Sequence, residues 1–82
     1  MAQIHVINSV KICLYSRDHN PPHIHAIYAE YEALVVIADG KVLRGDLPNA
    51  QLHEVREWLS NPNVKKRLVE MFHKMNPSLR RG

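Results

Sequence analysis

Hydrophobic and polar positions alternate singly in the first half of the chain and recur every three to four residues in the second. Val10, Ile12 and Leu14 alternate with Lys11, Cys13 and Tyr15, which predicts a strand with one buried face, ended by the polar Ser16-Arg17-Asp18. His23 to Tyr28 alternates in the same way and predicts a second strand, joined through Ala29-Glu30 to a third run, Tyr31 to Ile37, that becomes continuously apolar and reads as the central strand. Asp39-Gly40 suits a two-residue hairpin, so Lys41 to Gly45 returns as a fourth strand in an antiparallel meander.

After Leu47-Pro48 the period lengthens. Leu52, Val55 and Leu59, flanked by Trp58, predict an amphipathic helix from about Asn49 to Ser60. Asn61-Pro62 is a fresh start signal, because Asn caps orphan amides and Pro fits the first helical position. A second helix then carries Val64, Leu68, Met71, Phe72 and Met75 on its apolar side and ends near Asn76-Pro77. The expected fold is α+β: an antiparallel sheet of three or four strands followed by two C-terminal helices packed on one face. Trp58, Phe72, Met71 and Met75 read as core, His53 and His73 as boundary positions, and His5 belongs to no constellation.

Length confines this to one small domain, 1–82, with a basic tail over about 77–82. The core of so short a chain is modest, which raises the expectation of a cognate partner or a homodimer. With 45% hydrophobic and 23% charged residues the composition is globular. The lone Cys13 excludes an internal disulfide and sits in an apolar run where a buried thiol is expected, favouring a reducing, cytoplasmic setting. No apolar run approaches the length of a membrane span. The net charge of +3 is unevenly spread, and the C-terminal quarter is the basic part: Lys65, Lys66, Arg67, Lys74, Arg80 and Arg81 stand against Glu70 alone. That stripe is a candidate nucleic-acid contact, for RNA or DNA, weighed evenly against a solvated helix face.

The densest chemistry is DHNPPHIHA, residues 18–26, which places three of the six histidines beside a stiff Pro-Pro turn. Three readings compete. His19, His23 and His25 could hold a divalent transition metal. The same imidazoles could act as acid and base on an RNA phosphodiester, with Arg17 stabilising the phosphorane. In the third, Asp18 and Asn20 brace the loop, the histidines pack, and Asp18, His19, Asn20, His23, His25, Tyr28, Tyr31 and Glu32 form a protein-binding surface. Nucleophilic classes are disfavoured, since Cys13 reads as buried and no Gly-x-Ser-x-Gly turn or phosphate-cradling glycine loop is present.

DHNPPHIHA, with YEA, DGKVLRGDLP and EVREWL after it, resembles the small bacterial proteins of the DUF4160 family, a domain of unknown function, over roughly Ile12 to Trp58. One departure is Ala29, where the family commonly carries glycine at a turn position calling for positive φ. The resemblance implies no settled activity; members often look like one half of a two-gene cassette, which suggests a toxin–antitoxin-like module. The leading expectation is a small cytoplasmic binding protein of such a module, recognising a protein partner, with nucleic-acid contact through the second helix. The alternative is a histidine-based ribonuclease or metal-dependent hydrolase centred on the HNPPHIH loop.

Overall fold

The structure is a computed structural model that describes residues 2–15 and 20–77. Strands β1 (Ala2–Ile7), β2 (Val10–Leu14), β3 (His23–Tyr28), β4 (Tyr31–Val36) and β5 (Val42–Gly45) are followed by helices α1 (Asn49–Leu59) and α2 (Pro62–Met75). The five strands form one antiparallel sheet in the order β1-β2-β3-β4-β5. This corrects the expected three or four strands. Counting β1 also moves the centre of the sheet from β4 to β3, the histidine strand.

The extra strand hides behind two irregularities. Asn8 and Ser9 join β1 to β2 with φ of 44° and 72°, so both turn residues are left-handed without a glycine to announce it. Within β1 the register slips between Gln3 and His5, and the extra residue, Ile4, breaks the alternation that marks a strand. The turn is tied down from the helix layer, where the Asn8 amide donates to the Glu54 carboxylate.

One face of the sheet carries Val10, Ile12 and Leu14 of β2, Ile24 and Ala26 of β3, and Ala33 and Val35 of β4, all buried. Val55 and Leu59 of α1 and Leu68 and Phe72 of α2 complete the same core. Both helices therefore lie on that face, as their apolar periodicity requires. Asn61 caps α2 by accepting from the Asn63 amide at 2.8 Å, with Pro62 in the first helical position. The β4–β5 connection is longer than the two residues that Asp39-Gly40 suggested: the Gly40 amide donates back to Val36, and the Asp39 carboxylate accepts from the Lys41 amide. Gly40 supplies the left-handed residue at φ 74°.

Ala29 is also left-handed, at φ 51°, so the tight β3–β4 turn keeps its conformation although alanine stands where glycine is easier. Ala29→Gly is accordingly expected to raise stability by up to about 1 kcal/mol, the relief of a left-handed Cβ less the entropy glycine adds to the unfolded chain. A urea midpoint that stays put or falls would contradict the strained turn.

Candidate functional site

The site is built where β2 ends, β3 begins and the last turn of α2 arrives. Pro21 and Pro22 fix the chain entering β3, with a cis bond between Asn20 and Pro21. The His23 ring turns back on this segment: Nδ1–H donates to the Pro21 carbonyl at 2.8 Å, which places a proton on that nitrogen because a carbonyl can only accept. The ring is fully buried (0% exposed) and lies 5.6 Å from the Phe72 ring of α2. His23 therefore joins the Pro-Pro segment to the helix layer.

His25 is two residues on and 8% exposed, with its ring 5.3 Å from that of His23. It pairs with Cys13 in the β2–β3 register and with Leu34 in the β3–β4 register, so it stands on the sheet face opposite the helices. Its Nδ1 meets the Glu32 carboxylate at 3.2 Å, and the Tyr15 ring stacks on it at 4.1 Å, 9° from parallel. The backbone beneath that tyrosine is held in turn. The Asn76 amide, just past α2, donates to the carbonyls of Tyr15, at 3.2 Å, and Phe72, at 3.0 Å. Tyr15, Phe72 and Asn76 thus belong to the site, although their positions give no sequence signal: Asn76 lies 61 residues from Tyr15.

Cys13 is buried beside this pair. Burial, and secondarily the Glu32 carboxylate, push its thiol up from its ordinary pKa, the reverse of what a thiolate nucleophile needs.

The residues read as one binding surface divide between the two faces of the sheet. Glu32, exposed, and His25 stand on the face away from the helices. Tyr28 and Tyr31 pair across β3 and β4 on the helix face, half-buried against the core. Asn20 is exposed. Arg17, Asp18, His19, Arg80 and Arg81 lie outside the described residues. Among the described residues no group of three His, Cys, Asp or Glu side chains could hold a metal ion, so the metal reading rests on His19. On α2, Lys65 is engaged as a cap, its Nζ donating to the Leu59 carbonyl at 2.8 Å at the end of α1. Lys66, Arg67 and Lys74 are exposed, with Glu70 among them. Among the described residues no helix is long and apolar enough to cross a membrane.

No curated protein and no solved structure matches the chain. The model of a family described as a domain of unknown function, DUF4160, matches residues 10–73, from the first residue of β2 into the last turns of α2, leaving β1 outside the match. With most of its length matched, this chain belongs to the DUF4160 family.

Proposed function

We propose that this protein works by binding a protein partner, as one component of a toxin–antitoxin-like two-gene module. The observation that carries this is how the strand histidines are used. His23 is spent on the Pro21 carbonyl and on packing against Phe72, and His25 is clamped between the Tyr15 ring and Glu32. Residues committed in this way stiffen a surface for recognition. The raised, buried thiol of Cys13 points the same way. The exposed cations of α2, Lys66, Arg67 and Lys74, add an electropositive side that would attract an acidic partner or a phosphate backbone.

One observation favours a second reading. A carboxylate behind an imidazole, as Glu32 stands behind His25, is the arrangement that orients a general base. One experiment separates the two. The chain is expressed with the protein encoded beside it in its genome, purified at near-physiological salt, and assayed for RNA cleavage alone and in complex. The expected result is a stoichiometric complex that is weakened in His25→Ala, with no cleavage by either form. A chain that elutes alone and cleaves RNA, losing that activity in His25→Ala, replaces the binding reading with the enzymatic one.

A further inference from the structure

We infer that the free edge of β1, together with the groove between β1 and the helices, accepts an extended segment of a partner protein that alternates apolar and acidic residues. The inference rests on the partner-binding reading and adds to the histidine surface a second contact, with the kind of segment the partner presents there.

The two edges of the sheet differ. β5 is four residues long, carries Arg44 and includes a left-handed Gly45, features that discourage further pairing. β1 has six residues, Ala-Gln-Ile-His-Val-Ile, with neither charge nor proline, and among the described residues no strand lies beyond it. Its bulge faces the β2 ladder and has a second effect. Because His5 pairs with Ile12 and Gln3 with Cys13, the slip turns His5 to the helix side, where its ring stacks on Trp58 at 4.7 Å, 5° from parallel.

Beside that edge lies a groove of about 240 Å³, lined by Ile4 and His5 of β1, Trp58 of α1 and residues of α2 that include Val64, Arg67 and Leu68. The volume is below the roughly 300–1,000 Å³ of sites that enclose a small molecule, and suits one side chain. On the other face of the edge, Val6 is 48% exposed and pairs with Lys11, also exposed. A strand added to β1 would point every second side chain at the groove and the others at Val6 and Lys11. Apolar residues fit the first row. Lys11, on the second row's face, selects negative charge there, and Arg67, at the groove, favours acids flanking the apolar residue seated in it, with no acid in β1 to oppose either.

The test uses the intact protein and its single tryptophan, Trp58, as reporter. The probe is an acetylated six-residue peptide alternating valine and glutamate; the controls are the same peptide with lysine for glutamate, and the acidic peptide N-methylated at every second residue. The expected result is saturable quenching or shift of Trp58 emission by the acidic peptide, with Kd below about 100 µM. Tenfold or greater weakening by N-methylation is expected, and a reversed preference, for the lysine peptide, in the double variant Lys11→Glu/Arg67→Glu. No saturable binding, equal binding of both charges, or indifference to N-methylation would overturn it. A native partner that co-purifies equally with wild type and the double variant also sinks the edge site while leaving partner binding intact; a chain with no partner at all removes the broader reading.

Discussion

Phe72→Ala is expected to remove about 3–5 kcal/mol of stability, the usual cost of truncating a fully buried phenylalanine and leaving its space behind. A chain of 82 residues has only about 4–12 kcal/mol to lose, so the variant should forfeit a quarter or more of its stability, and nearly all of it at the low end of that range. The loss should fall in the upper part of its expected range. Phe72 touches His23, which anchors Pro21, and its carbonyl shares the Asn76 amide with Tyr15. Truncation therefore loosens both ends of the histidine site. Urea unfolding by circular dichroism gives the cost, and Phe72→Leu, which keeps most of the volume, should recover well over half of it. A loss under about 1 kcal/mol for the alanine variant would show that α2 is not what holds β3 in place.

Gly45→Ala is expected to be nearly as damaging, from a position exposed to solvent. A Cβ built there would lie 2.0 Å from the Glu32 carbonyl oxygen, and Gly45 is left-handed at φ 74°. That carbonyl also accepts the Asp46 amide at 3.2 Å, so the collision is with rigid backbone at the β4–β5 junction. The strand must separate from β4 or the turn must be rebuilt, at an expected cost on the order of 3 kcal/mol. Gly40→Ala is the informative comparison. It shares the φ of 74°, but the nearest atom is Cγ of the flexible Arg56 side chain at 3.1 Å, so only about 1–2 kcal/mol should be lost. Equal losses at the two glycines would mean that backbone conformation alone, and not the close approach to Glu32, sets the cost.

Where side chains alternate cleanly, the fold was legible. Val10–Leu14 and His23–Tyr28 are strands because each puts every second residue into a common core, the continuous apolar run after Glu32 marks a strand flanked on both sides, and Asn61-Pro62 starts a helix for the capping reasons its chemistry dictates. β1 was not legible: its bulge at Ile4 disrupts the period and its turn, Asn8-Ser9, adopts left-handed angles with residues that only tolerate them. The histidine string was visible as a cluster, but its organisation was not. That His25 would meet Glu32 follows from a β3–β4 register fixed by the two-residue turn at Ala29-Glu30. That Tyr28 and Tyr31 would leave this surface follows from the same register, since they differ from His25 and Glu32 by odd steps. The contribution of Asn76 depends on how α2 lies across the sheet, which no local pattern encodes.

The meander order has a consequence for how the chain finds this arrangement. All four ladders join strands adjacent in sequence, and two of the connecting turns, Asn8-Ser9 and Ala29-Glu30, are two residues long, so loop closure within the sheet is inexpensive and local. The distant contacts are left to the helices, above all to Phe72 and Asn76, which reach back across 49 and 61 positions to His23 and Tyr15. Assembly of the strands is thereby uncoupled from completion of the histidine site, which exists only once the final helix has docked.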